Sequence, residues 1–338
     1  MKEILLITDQ YKLRKRETSI VLTTLLGEEV QEVAMGMIDS ISVFGNVQLS
    51  TQLLKSLSKE GIEVYFFSKS GGYLAHVESS YKDNSVAQRH QARATDDFYY
   101  CLAMSKKIIS AKIRHSKELL LSYNEDGLLD EEDFQVFEQS LVQIEEAKTI
   151  SEVLGFEGKC AKSYFYYLGF LVPNEFRFKG RSKRPPKDLF NAFISFGYAN
   201  LYKYLVGAIR RHGLLPSFGI VHQDKPAHAS LASDLMEEWR SILVDDVVMR
   251  LLREEVITKE DYTVNENGGI YLENRLRTVF LQRLSQRMNE AHPYLFSDKK
   301  RYDFFYAVDQ QVNALKRSFE EKDVELFHTI GEGKDEVV

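Results

Sequence analysis

His222 precedes an acid pair, Asp234 and Glu237, three residues apart. The pattern predicts a helix from Ser230 on which the two acids share a face about one turn apart, with His222 on the loop before it. Leu231, Leu235 and Trp239 form a neighbouring stripe that should face the core. Two carboxylates on one helical face, met by an imidazole from the preceding loop, make a mixed oxygen and nitrogen donor set. Such a set suits Mn²⁺ or Mg²⁺ better than a thiolate-seeking metal. Spacing alone also admits a plainer alternative and, in isolation, favours it: first-turn acids stabilised by the helix dipole beside a turn histidine. His222-Gln223-Asp224 is an HxD string with His228 beyond it, yet further histidines at zinc-ligand spacing are lacking.

Upstream, Glu157 stands between Gly155 and Gly158 at an expected helix start near residue 156. Glycine there would let a backbone or a substrate approach the carboxylate, although an acid near a helix start also complements the dipole. Tyr164, Phe165, Tyr166 and Tyr167 read as core and interface aromatics in preference to a base-stacking platform. Residues 176–187 carry Arg177, Lys179, Arg181, Lys183, Arg184 and Lys187 with Gly180 and Pro185-Pro186, so they cannot continue a helix. They form a basic loop, either a phosphate-contacting segment or a solvated surface.

The elements that must position these groups fall into two compositional regions. Up to about Val77, short antiparallel strands are expected at residues 4–8, 19–25, 30–33, 41–44, 63–67 and 73–77, with one helix over 51–58. Beyond the polar stretch 79–84, helical patterns dominate at about 85–123, 131–145, 156–168, 188–211, 230–256, 273–290 and 301–320. The expected fold class is α+β: a small N-terminal antiparallel β domain (1–78), a linker (79–85), a larger all-α domain (86–330) and a disordered acidic tail (331–338). With 338 residues, 44% hydrophobic and 28% charged, the chain can bury such cores. Its net charge of −6 excludes a uniformly basic nucleic-acid binder, so phosphate contacts require local clusters such as the 176–187 loop. Two cysteines, Cys101 and Cys160, lack metal-finger spacing and read as inert buried thiols. No apolar run approaches a transmembrane span or a signal peptide, so a cytoplasmic location without a membrane role is expected.

Several segments occur together in one order. Gly155-x-Glu157-Gly158 with Ala161 and Tyr164-Phe165 is followed by Arg184-Pro185-Pro186-x-Asp188 with Asn191, Ser195, Gly197 and Tyr198. Gly213-Leu214, Gly219 and His222 come next, then Ser230-Leu231-Ala232-x-Asp234-Leu235-Met236-Glu237-x-x-Arg240 and Asp245. This ordered set resembles the CRISPR-associated adaptation integrases, the larger of the two core proteins that insert spacers into CRISPR arrays, over about residues 2–319. Its length and the 170–184 loop look most similar to the subtype I-C group.

The resemblance implies a metal-dependent DNA endonuclease and integrase that joins captured DNA to a repeat by 3′-hydroxyl transesterification. Glu157, His222, Asp234 and Glu237 would be catalytic, with Mn²⁺ or Mg²⁺ held by Glu157, His222 and, by register, Glu237. Asp234 stays open as an alternative third ligand, because some relatives carry aspartate where Glu237 stands. Arg177, Lys179, Arg181, Lys183, Arg184 and Lys187 would contact double-stranded DNA, both the incoming fragment and the repeat. Homodimerisation through the β domain and a hetero-hexamer with the small CRISPR-associated partner are further expectations. A structure-selective repair nuclease and a non-catalytic DNA-binding scaffold are the competing readings.

Overall fold

In the computed structural model, residues 3–7, 10–68, 71–77, 84–222, 226, 228–254, 256–294 and 300–331 are described. The N-terminal part holds β1 (Glu3–Leu6), β2 (Tyr11–Arg16), β3 (Ser19–Thr24), β4 (Glu29–Ala34), β5 (Ser40–Phe44), β6 (Gln48–Leu49), α1 (Thr51–Lys59), β7 (Glu63–Phe67) and β8 (Tyr73–Val77). They form two four-stranded sheets, ordered β1-β5-β7-β8 and β4-β3-β2-β6. The expected uniformly antiparallel domain is corrected here: β1 with β5, β5 with β7, and β2 with β6 pair in parallel. Parallel neighbours need a crossover. Between β5 and β7 it is made by α1, and between β1 and β5 by the whole β2–β4 excursion. β2 lies outside the expected strands because Leu13 is its only fully buried residue in a run of lysine and arginine.

Strand alternation divides the first sheet between two cores. Ile41, Val43 and Val64 face α1 and the second sheet, packing with Leu13, Leu53 and Leu57. Phe44, Tyr65 and Phe67 face the other way and join the large helical core.

That core is built from α2 (Ser85–Thr95), α3 (Phe98–Tyr123), α4 (Glu131–Glu146), α5 (Ile150–Leu171), α6 (Leu189–Arg211), α7 (Ser230–Trp239), α8 (Asp246–Glu254), α9 (Asn274–Asn289) and α10 (Phe304–Glu321). The all-helical expectation is corrected by an antiparallel hairpin, β9 (Tyr262–Val264) with β10 (Ile270–Leu272). The helix expected over 85–123 is two helices, since the Asp97 carboxylate accepts from the Tyr99 and Tyr100 N–H groups and starts α3 afresh. α5 starts at Ile150, earlier than expected, because Thr149 and Glu152 form a capping box. α7 runs into a π-helical turn, Arg240–Asp245, before α8.

α6 is central, and Phe196 on it packs against Phe44 of the sheet with ring centroids 5.5 Å apart. Where α5 meets the basic loop, a Cβ on Gly169 would lie 2.0 Å from the Phe178 carbonyl oxygen, so glycine permits that approach. Both cysteines are buried free thiols. The expected linker lies mostly, and the expected tail beyond Gly331 entirely, outside the described residues. Among the described residues no helix is long and apolar enough to cross a membrane.

Candidate active site

α3, α5 and α7 converge on a cavity of about 900 Å³ lined by Lys112, Glu157, His222, Glu237, Arg240 and Asp245, among others. Glu157 sits in the second turn of α5 and is two turns before Tyr164. The helix-start position expected for it is therefore corrected, and a first-turn dipole role does not describe it. Cβ atoms on Gly155 or Gly158 would meet nothing within 4 Å, so these glycines face open space and not another backbone.

Glu157 and Glu237 close on one point. Lys112 Nζ, from α3, lies 2.5 Å from Glu157 Oε1 and 2.5 Å from Glu237 Oε2. Arg240 grips both oxygens of Glu237, with Nε 3.1 Å from Oε2 and Nη2 3.2 Å from Oε1. Burial pushes the Glu237 carboxyl up, but the two cations outweigh it and hold its pKa down at about 2. The same balance holds Lys112 above its ordinary value: burial opposes its charge, and Glu237 and Glu157 overcome it.

Asp234 is placed differently. Its side chain is 0% exposed, and its oxygens accept from the N–H groups of Ile220 (2.6 Å), Val221 (3.0 Å) and His222 (3.1 Å). His222 Nδ1 donates to it at 2.6 Å. This carboxylate folds the 220–222 turn and orients the imidazole, whose other nitrogen, Nε2, is directed away from Asp234. The hydrogen bond from His222 to Asp234 raises the imidazole pKa against the effect of burial. The turn is tight: a Cβ on Gly219 would lie 2.3 Å from the His222 carbonyl oxygen. His228 is outside the cavity lining, with Nε2 2.9 Å from Ser233 Oγ and its ring stacked on Tyr202. Asp224 of the HxD string lies outside the described residues.

Behind Arg240, the π-helical turn brings Asp245 against two phenols, Tyr198 at 2.6 Å and Tyr164 at 2.7 Å. Arg240 lies over the Tyr198 ring, 4.4 Å from its centroid. The basic loop borders the same cavity through Lys179, Arg181 and Lys183. Arg181 is turned inward, donating to Asn191 Oδ1 at 2.8 Å and Ser195 Oγ at 3.0 Å, and so pins the loop to α6. Lys179 and Lys183 are exposed, as are Lys159 and Lys162 on α5. Arg177 lies over Phe170, Arg184 lines a second cavity, and the Lys187 ammonium donates to the Asn267 carbonyl. Tyr164 is buried, Phe165 and Tyr167 are half-buried, and Tyr166 is exposed.

Sequence reasoning did not find Lys112. It is far from Glu157 and Glu237 along the chain and belongs to no motif, so only the packing of α3 on α5 and α7 reveals it.

Comparison with known proteins decides the family. Residues 4–286 match the family described as CRISPR associated protein Cas1. The chain belongs to the Cas1 family. It is 36% identical to a CRISPR-associated endonuclease Cas1 of Mycobacterium tuberculosis over 302 residues, 89% of this chain and 88% of that one. Among solved structures, a Cas6-RT-Cas1–Cas2 complex superposes with a TM-score of 0.83 at 22% identity, covering 98% of this chain and 36% of the longer one. A casposase bound to integration product superposes with a TM-score of 0.83 at 24% identity, covering 95% of this chain and 91% of that one. Both likenesses are of fold, and they bear out the mixed α+β architecture with N-terminal sheets and a mostly helical C-terminal part.

The donor types at this cavity, carboxylate oxygen and imidazole nitrogen, are those that Mn²⁺ or Mg²⁺ takes. Two carboxylates already bracket one positive charge, the Lys112 ammonium, and an oriented imidazole lines the same cavity. Among the described residues no three His, Cys, Asp or Glu side chains are close enough to hold a metal as they stand. The ammonium stands between the two glutamates.

Proposed function

We propose that this Cas1-family chain is a divalent-metal-dependent DNA endonuclease and integrase that inserts spacer DNA into CRISPR arrays. The observation that carries the reading is the closure of Glu157 and Glu237 on one cationic point beside an oriented His222, in a lysine-rimmed cavity. Glu157, His222 and Glu237 would hold Mn²⁺ or Mg²⁺, which when bound supplies Lewis-acid polarisation of a phosphodiester. Asp234 positions His222 Nδ1 and stays off the ion, as carboxylates behind ligating histidines do. Arg240 fixes the carboxylate plane of Glu237 by a two-point grip.

Lys159, Lys162, Lys179 and Lys183 would hold the phosphates along the cavity mouth, with Arg177, Arg184 and Lys187 extending the track. The placement of Arg181 supports a role in holding the loop. A 3′-hydroxyl attacking the bound phosphodiester forms a new P–O bond as the target strand's own 3′-oxygen leaves with a proton, joining the incoming end to the cut strand; water in its place only cleaves. The endonuclease name of the M. tuberculosis relative and the casposase bound to integration product support these two outcomes of one chemistry.

A small partner of the Cas2 kind, two homodimers flanking its dimer, and dimerisation through the 1–78 part complete the assembly; the Cas1–Cas2 complex among similar folds supports the partner. The division into a β domain, a linker at 79–85 and a catalytic domain over 86–330, a cytoplasmic location and membership of the subtype I-C group belong to the same reading. The test is strand transfer. Oligonucleotides with free 3′-hydroxyl ends should become joined to a repeat-containing plasmid when Mn²⁺ and the small partner are present. Cleavage without any joining would leave a plain nuclease. Full activity in Glu157→Ala and His222→Ala proteins would sink the metal site, and DNA binding by the unaltered protein with neither cleavage nor joining would leave a scaffold.

A further inference from the structure

The ammonium of Lys112 stands where a divalent ion shared by Glu157 and Glu237 would stand. An ion bound by both would lie about 2 Å from a carboxylate oxygen of each, and Lys112 Nζ is 2.5 Å from one oxygen of each. Two cations cannot share that point. We propose that Lys112 is a built-in counter-cation: it holds the two glutamates together in the metal-free protein, yields its place to the divalent ion, and then presents its ammonium to the substrate phosphate. This inference rests on the metal-dependent reading above and adds a positioning residue to it.

Three observations carry it. First, the four charges that meet at this point balance as they stand: Glu157 and Glu237 against Lys112 and Arg240. An added divalent ion would leave an excess of two positive charges unless an anion entered, and a phosphodiester is the anion the reaction brings. Second, Arg240 cannot replace Lys112. It comes from the same helical run as Glu237, and its guanidinium is already committed to that carboxylate and to the Tyr198 ring. Third, Lys112 has somewhere to go. Its side chain is 18% exposed and lines the cavity that Lys159, Lys162, Lys179 and Lys183 border. A lysine, unlike an arginine, carries a compact charge on a flexible four-carbon stem with no planar fork to realign. Ion and phosphate therefore favour one another through Lys112, and the coupling is reciprocal.

The experiment is Mn²⁺ binding to the full chain without DNA, by calorimetry and by loss of the free-ion electron paramagnetic resonance signal. Lys112→Met and Lys112→Gln should bind Mn²⁺ about tenfold more tightly than the unaltered protein. Lys112→Arg, which keeps a cation, should bind no more tightly than the unaltered protein. In metal-free buffer the two neutral variants should melt at lower temperature, and Mn²⁺ should restore the loss. Adding a duplex with a 3′-hydroxyl end should tighten Mn²⁺ binding to the unaltered protein, and less so to the neutral variants.

Equal or weaker Mn²⁺ binding by both neutral variants would overturn the proposal. So would tightening by Lys112→Arg equal to theirs. Glu157→Gln separates the two readings: an unaltered protein that binds Mn²⁺ and loses it in Glu157→Gln retains the metal site whatever Lys112 does. If neither the unaltered protein nor the two neutral variants binds Mn²⁺, both readings fall together.

Discussion

At the scale of single residues, two acids that sequence spacing made interchangeable have separate roles in the fold. Asp234 and Glu237 are three residues apart on one helix, and nothing in their spacing says which meets an ion. The difference comes from the turn before α7. Three N–H groups and an imidazole converge on Asp234, whereas Glu237 meets two side-chain cations at the cavity. Asp234→Asn should therefore keep Mn²⁺ binding but weaken it about 10- to 100-fold by loosening His222, as loss of a carboxylate behind a ligating histidine does. Glu237→Gln should abolish measurable binding. A titration that ranks them in the opposite order would make Asp234 the ligand. Glu157 and His222 were legible only as parts of an ordered motif set, since each alone had an ordinary structural explanation. Lys112 was not legible at all, because its relation to the glutamates exists only in three dimensions.

At the scale of elements, the long helices and most strands follow from periodicity and capping, and the misses have local causes. Asp97 splits a continuous helical pattern by capping a new helix, and Thr149 with Glu152 extends α5 past its glycines. The π-helical turn Arg240–Asp245 left no mark in the hydrophobic pattern. Its consequence is chemical: it turns Asp245 toward Tyr164 and Tyr198 in a fully buried position. Burial raises the Asp245 carboxyl from 3.8 to about 6, the two phenols offsetting only part of it. The folded state thus binds this proton more tightly than the unfolded chain. The resulting stability is fully present below the unfolded value and is lost as pH rises through about 6. Asp245→Asn removes the titration, so its stability relative to the unaltered protein should improve by on the order of 3 kcal/mol from about pH 4 to about pH 8. Denaturant unfolding of both proteins across that range, in chelator, checks the sign. A difference independent of pH would contradict it.

For the whole molecule, the α+β class was legible because alternation stops and helical periodicity begins near residue 78. The manner in which the two parts meet was not. Sequence pattern places Ile41 and Val43 in a core, but it does not reveal that Phe44, Tyr65 and Phe67 serve a different one. Parallel pairing was hidden for the same reason: it depends on which distant strands become neighbours. The join is also polar. Lys203 of α6, 0% exposed, pairs with Glu3 of β1 and lies 2.6 Å from Ser42 Oγ of β5, and the Tyr204 hydroxyl donates to the same glutamate. Removing one partner of such a pair leaves the other charge buried without compensation. Lys203→Met should cost about 3 to 5 kcal/mol in urea unfolding, and a loss below about 1 kcal/mol would show that Glu3 finds other solvation.

The gathering of Glu157, His222 and Glu237 around one divalent ion is tested most directly by anomalous diffraction at the manganese edge from crystals soaked in Mn²⁺. A single strong peak is expected, about 2 Å from carboxylate oxygens of Glu157 and Glu237 and from Nε2 of His222, with Asp234 still bound to Nδ1. A peak coordinated by Asp234, or the absence of any peak at these side chains, would contradict it.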